Sequence, residues 1–253
     1  MDFILIALAA AGASLLTFFS GFGLGTILTP VFILFLPIDA AIAVTGAVHF
    51  MNNAFKMALI GRHVHLRTAL MFGLPAIAGS IAGAMSMIKL SESSQPWTLG
   101  ALELDPLKVI IGLMMILFAL WELIPWFSRI AFGKKALIPG GLLSGFFGGL
   151  SGHQGALRSA FLVRLALPKE VFIATGTLIA CLVDIGRLGI YIPALRNHLS
   201  PEVLPLALTA TGAAFAGAMA GKQLLKKITL ASIQRIVGIM ILLLGIGLIT
   251  GWI

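Results

Sequence analysis

Apolar residues run along the chain in eight long blocks, at 3–36, 38–60, 68–90, 107–127, 136–167, 170–195, 203–225 and 232–253. A helix that spans a bilayer needs about 20 such residues. Six of the blocks therefore predict complete membrane helices. The first and fifth are longer and are broken by polar and glycine-rich stretches. The first breaks at SGFGLG (20–25), with Pro30 beyond it, and the fifth breaks at SGHQG (151–155).

The two halves repeat each other. Ser20-Gly21 aligns with Ser151-Gly152, and Pro37 and Pro168 each follow seventeen residues later. Thr45-Gly46 has a counterpart in Thr175-Gly176 after a one-residue slip. Asn53 and Lys56 match Asp184 and Arg187, both pairs three apart. Gly79-xxx-Gly83 matches Gly217-xxx-Gly221, small-residue patterns that let helices approach closely. The last helices match best, LKVIIGLMMIL (107–117) against IQRIVGIMILL (233–243). The pattern predicts an all-α polytopic membrane protein, one membrane domain over 1–253. Its two inverted repeats (1–128 and 136–253) each hold one broken or re-entrant segment and three transmembrane helices. Paired breaks in matching halves place a transporter-type site at the breaks.

Composition strengthens this reading. The 253 residues are 59% hydrophobic and 10% charged, with a mean hydropathy of +1.08. Soluble domains carry about 25% charged residues. The net charge of +8 fits an anionic inner leaflet better than nucleic acid, because the basic residues are scattered through short loops without interleaved aromatics. No basic region precedes the first apolar block, so no signal peptide is expected. The single cysteine, Cys181, excludes an intrachain disulfide and a multi-thiolate metal site, and reads as a core residue. The two histidines of RHVHLR (62–67) read as part of a cytoplasmic loop. No cofactor and no metal is expected.

Loop charges choose between crossing and re-entry, since Lys and Arg concentrate on the cytoplasmic side. If all eight blocks cross, the twelve clear loop cations split evenly. If the broken blocks re-enter, Arg62, Arg67, Arg129, Lys134, Lys135, Lys169, Lys222, Lys226 and Lys227 share one side. Only Lys89, Lys108 and Arg196 then face the other. Re-entry obeys the rule and leaves each half with an odd number of crossings, which inverts the halves.

A re-entrant pair is two half-helices joined near the midplane. The second halves should begin near Thr26 and Ala156, each with unpaired N–H groups and a partial positive charge. Glycines 21, 23, 25, 152 and 155 permit tight turns and close approach to a bound group. Two such starts facing one another make an anion site. Ser20, Gly21, Gly23, Gly25 and Thr26 on one side, and Ser151, Gly152, His153, Gln154, Gly155 and Arg158 on the other, are the candidate substrate-binding residues. Burying Arg158 mid-membrane costs roughly 2.5–3.5 kcal/mol on insertion scales. A bound anion offsets part of that, and so does a structural partner. His153 and Gln154 either donate to cargo or satisfy loop carbonyls. Arg164 reads as an arginine reaching the interface.

The second helix carries a polar stripe, Thr45, His49, Asn52, Asn53 and Lys56, at helical spacing. A pathway lining or a helix contact explains it. His49, Asn52 and Asn53 join the candidate substrate-binding set. Lys56, Asp184 and Arg187 are candidates for coupling or gating. Asp184 and Arg187 also form the plainest ion pair in the sequence, at i, i+3.

At these residues the chain resembles the sulfite exporter TauE/SafE family of bacterial transporters. The resemblance covers the full length. It rests on SGFGLGTILTP (20–30), Asn52 and Asn53 in the second helix, GLSGHQG (149–155) and the paired small-residue helices. It implies transport of sulfite, sulfoacetate or related organosulfonates across the inner membrane. The residues by themselves reach only "anion", and a larger oxyanion or a carboxylate stays open.

The leading expectation is a secondary transporter of a small anion, multi-pass in the cytoplasmic membrane. Its partners are that anion and the lipid bilayer, with no nucleic acid, and a homodimer stays open. The alternative is a proton- or cation-coupled carrier of another substrate class centred on Asp184. An intramembrane enzyme built on Ser151 and His153 finds no orienting acid nearby, and no HExxH, paired aspartates or phosphate loop accompanies it.

Overall fold

The computed structural model describes residues 2–20, 24–93, 95–99, 102–124, 132–195, 201, 203–224 and 230–252. Among these residues there are ten α-helices. They are α1 (Asp2–Ser20), α2 (Leu24–Ile33), α3 (Ile38–Ile60), α4 (Leu66–Ser93), α5 (Pro106–Leu123), α6 (Leu137–Ser151), α7 (Gly155–Leu162), α8 (Lys169–Leu195), α9 (Val203–Leu224) and α10 (Leu230–Ile249). Three segments, Leu66–Glu92, Lys169–Ala194 and Val203–Gln223, are long and apolar enough to cross a membrane. The protein is an all-α membrane protein in class, with one small exception. Between α4 and α5, β1 (Trp97–Leu99) and β2 (Leu102–Leu104) pair antiparallel. Trp97 lies opposite Leu104, an apolar cross-strand pair of the kind that favours a ladder.

Local sequence explains the helix ends that frame the site. Asp105 caps α5 by accepting from the N–H groups of Leu107 (2.8 Å) and Lys108 (3.4 Å), with Pro106 at the first helical position. α6 stops because Gly152 takes a left-handed conformation (φ +83°), and its N–H closes on the Gly148 carbonyl (3.0 Å). That conformation strains any residue with a Cβ. α7 restarts at Gly155, one residue from the expected Ala156, and α2 starts at Leu24, two from the expected Thr26.

Helix directions follow from side-chain levels. Asn52 of α3 meets Ser14 of α1, and one turn on, Lys56 lies over the Phe18 ring, so α1 and α3 run parallel. Between them Gly25 of α2 sits against Thr45 and His49, midway along α3, and the chain then leads directly into Ile38. α2 thus runs back along α3. In the second half, Gly140 of α6 backs onto the Phe161 ring of α7. Phe132, just before α6, donates its N–H to the Ala160 carbonyl (3.4 Å). α6 and α7 therefore form a hairpin whose open ends lie together.

Glycines set the tightest seams. Along α6, Gly141, Gly145 and Gly149 face the carbonyls of Phe72, Ala76 and Ser80 on α4. Gly79 and Gly83 of α4 reply against the carbonyls of Leu142 and Phe146. At each position a Cβ would overlap backbone, so only glycine permits this approach. Gly217 of α9 meets Ala11 of α1, and Gly221 meets Leu15 and Phe18. The paired small-residue patterns are helix contacts, as expected. The i, i+4, i+8 glycine series on α6 was legible in the sequence too, but its glycines read there as part of a broken segment. α5 packs on α10, and α3 packs antiparallel on α8.

Gly145→Ala should destabilise the protein by roughly 1–3 kcal/mol, because α4 and α6 must part to admit the methyl. Gly189→Ala, where a Cβ meets nothing within 4 Å, should be neutral or stabilise by up to about 1 kcal/mol. Thermal unfolding in detergent compares the two.

Candidate functional site

The two breaks meet. A Cβ built on Gly25 would sit 3.4 Å from the Gly152 carbonyl oxygen and 3.8 Å from atoms of Thr45 and His49. A Cβ on Gly152 would sit 3.1 Å from an Arg187 nitrogen and 3.9 Å from the Thr29 hydroxyl oxygen. The start of α2, the αL corner after α6 and the middles of α3 and α8 thus share one place. Gly21 and Gly23 lie outside the described residues. Ser20 ends α1, and its side chain is not among the described ones.

Around this junction stands a buried polar cluster. Asp184, fully buried on α8, is its hub. Arg187, one turn on, donates to Asp184 Oδ1 from Nε (2.9 Å) and Nη2 (2.7 Å), and reaches the Gly148 carbonyl with Nη1 (3.3 Å). The ion pair read from the sequence is therefore formed. From the facing helix, His49 Nδ1 lies 2.6 Å from Asp184 Oδ2. A ring nitrogen that close to a carboxylate carries the proton, which leaves Nε2 to accept. Asn53 supplies that donor through Nδ2 at 3.2 Å. Gln154 donates to Asp184 Oδ1 (3.4 Å) and accepts from Arg158 Nη1 (3.4 Å). The backbone of Gln154 is held by the Ser144 hydroxyl (2.9 Å). One carboxylate thereby ties α3, α7 and α8 together.

Arg158 lies in the first turn of α7 and is 2% exposed. Its Nε approaches to 3.5 Å of the Cβ position of Gly176 on α8. In the other half, Gly46 lies equally close to the Arg187 guanidinium. Lys56 is buried, its Nζ 5.5 Å from the Phe18 ring centroid. In the amide orientation its neighbours require, Asn52 donates to the Ser14 hydroxyl (2.9 Å) and the Ala214 carbonyl (3.2 Å) and accepts from Lys56 Nζ (3.2 Å). Asn52 and Lys56 thus face α1 and α9, whereas His49 and Asn53 face α8.

The cluster holds two buried guanidinium groups, Arg158 and Arg187, against one carboxylate among the described residues, and a third buried base, Lys56, lies further along α3. Such an imbalance in a low-dielectric interior favours a negative guest. Two buried polar atoms have no partner among the described residues, Thr45 Oγ1 and His153 Nε2, and Thr45 approaches Gly25 through its Cγ2 methyl. His153 Nδ1 donates to the Ser151 carbonyl (3.0 Å), and its ring stacks on Phe118 (centroids 5.8 Å apart, planes 4° apart). The Ser151 hydroxyl turns back to the Phe147 carbonyl (3.1 Å). Thr26 and Gly155 are buried at the starts of α2 and α7. No group of His, Cys, Asp and Glu among the described residues has the arrangement to hold a metal.

Several contributors escaped the sequence reading. Ser144, Ser14 and Phe118 gave no local signal. Tyr191 did: it is the single tyrosine and sits within an apolar helix. Its hydroxyl donates to the Gly149 carbonyl at the end of α6.

An all-helical membrane protein with ionisable groups gathered where two helix breaks meet has the build of a transporter. The family model for the sulfite exporter TauE/SafE matches residues 5–248. The chain belongs to the sulfite exporter TauE/SafE family, a family of membrane transporters. Neither the curated proteins nor the solved structures compared gave a match.

Proposed function

We propose that this protein is a secondary transporter that moves a small anion, a sulfur oxyanion or organosulfonate, across the cytoplasmic membrane. The observation that carries the reading is the contact between Gly25 and Gly152 inside a buried cluster with an excess of basic groups. The N–H groups that open α2 and α7 and the guanidinium of Arg158 supply donors at the same point. Sulfur as the central atom comes from the family, and anionic charge comes from the site. The reading makes the protein a carrier and assigns it no catalysed reaction.

The packing supports two repeats related by a two-fold exchange in a single multi-pass domain. Replacing α1 by α6, α2 by α7, α3 by α8, α4 by α9 and α5 by α10 turns each principal helix pair into another observed pair. α1–α9 becomes α6–α4, while α3–α8 and α5–α10 map onto themselves and cross antiparallel. Arg62 and Lys222 line one cavity, and Arg67, Lys134 and Lys135 line another, all where α3 and α9 end and α4, α6 and α8 begin. The positive-inside rule supports a cytoplasmic position for that end and re-entry of both broken segments.

A binding screen of the purified protein against sulfite, sulfoacetate, small carboxylates and an organic cation tests the assignment. Saturable binding of the sulfur anions, with none of the cation, is the expected result. Binding of the cation alone overturns it. His153→Phe keeps the stack on Phe118 and removes only an acceptor nitrogen at Nε2, because the ring proton on Nδ1 goes to the Ser151 carbonyl. It should leave the fold intact and anion binding unweakened.

A second reading centres on Asp184 as the group that carries a coupling proton or cation. Its position between His49 and Arg187 favours a role beyond a simple ion pair. Asp184→Asn separates the readings. Loss of gradient-driven transport with anion binding kept assigns Asp184 to coupling. Loss of all substrate binding makes it the centre of the site.

A further inference from the structure

A second basic site lies away from the junction, at the end of the bundle where α4 and α6 begin. Its cavity measures about 440 Å³ and is lined by His65, Arg67, Thr68, Met71, Lys134, Lys135, Leu137 and Leu165. Three separate stretches build it: the start of α4, the turn Lys134–Ala136, and the turn Val163–Leu165 that follows α7. Every ionisable lining residue is basic, and no carboxylate lines the cavity among the described residues. Arg67, Lys134 and Lys135 therefore face one cavity with no counter-charge in it, and each raises the energy of the others. Met71, Leu137 and Leu165 give it an apolar wall.

The histidine is already oriented. His65 Nδ1 accepts from the Thr68 N–H (3.3 Å) and lies 2.8 Å from the Thr68 hydroxyl, while its own backbone N–H donates to Thr175 on α8 (3.0 Å). With Nδ1 accepting, the ring proton sits on Nε2 and is left to donate. Cationic forks and ammonium groups beside a neutral N–H donor match the oxygens of a phosphate. A bare phosphate leaves most of such a volume unfilled, whereas a headgroup with its glycerol also meets the apolar wall. Basic pockets between membrane helices on the cytoplasmic side bind anionic headgroups by these means.

We infer that this cavity is a binding site for a phosphate group, distinct from the transport site, and that an anionic phospholipid headgroup supplies it. Occupancy bridges α4 to the α6–α7 hairpin and so ties the two halves at their cytoplasmic end. The test is thermal unfolding in nanodiscs of phosphatidylcholine, with and without phosphatidylglycerol, and in phosphatidylcholine discs with inorganic phosphate added. The pocket variant carries Arg67→Gln, Lys134→Gln and Lys135→Gln. A charge-matched control at the same end carries Arg62→Gln, Lys169→Gln and Lys222→Gln.

Phosphatidylglycerol should raise the wild-type Tm by roughly 3–5 °C, the shift of a ligand well above its Kd. The pocket variant should lose the shift and the control should keep it. The single variant Lys134→Gln should lose part of it, and serves if the triple variant is unstable. The same pattern with inorganic phosphate alone keeps the phosphate site but makes its source soluble. Equal shifts in pocket and control variants, or no shift with either probe, overturn the proposal.

Discussion

Asp184→Ala should be the most damaging single side-chain truncation in the protein. It leaves the buried Arg187 guanidinium with only the long contact to the Gly148 carbonyl among its polar bonds described above. It also strips His49 and Gln154 of a shared acceptor. Breaking a buried pair by removing one member destabilises by about 3–5 kcal/mol, because the survivor's charge stays buried. Thermal unfolding in detergent should show this as a large fall in Tm or as failure to purify a monodisperse protein. The double variant Asp184→Leu with Arg187→Met removes both charges and should recover most of the stability. It should not recover transport in proteoliposomes. A double variant as unstable as the single one would mean that the hub holds the fold by hydrogen bonding rather than by charge balance.

Arg158→Ala should do the reverse, sparing the fold and removing the cargo. The guanidinium shares a long hydrogen bond with Gln154 and stands in the first turn of α7, beside the junction. Truncating a desolvated charge that contacts a bound anion costs about 2–5 kcal/mol, so sulfite affinity should fall by roughly 30-fold or more. Arg158→Lys keeps the charge but not the planar fork, and should restore binding only in part. Equilibrium binding to purified protein gives the affinities, and the Tm of each variant separates lost binding from lost structure. Unchanged binding in the alanine variant would move the anion away from α7.

Much of this arrangement was legible in the chain because membranes simplify sequences. Six uninterrupted apolar blocks became α3, α4, α5, α8, α9 and α10, and the two breaks fell within a few residues of their expected places. A polar or ionisable residue in an apolar block stands out, so His49, Asn53, Gln154, Arg158, Asp184 and Arg187 are all legible as candidates in the sequence. Periodicity did not separate Asn52 from Asn53. They are consecutive on α3, and a step of about 100° turns one toward α1 and the other toward α8. Ser144 and Phe118 act through partners in the turn between α6 and α7, and no local pattern announces a serine that holds a carbonyl ten residues on.

The reading stands on the junction of the two breaks being where the anion rests. Crystals grown with selenite, the selenium analogue of sulfite, locate it through the anomalous signal of selenium. A single buried peak between Gly25 and Gly152, within hydrogen-bonding reach of Arg158, is the predicted result. A peak confined to the cavity of Arg67, Lys134 and Lys135, or to any other surface, would contradict it.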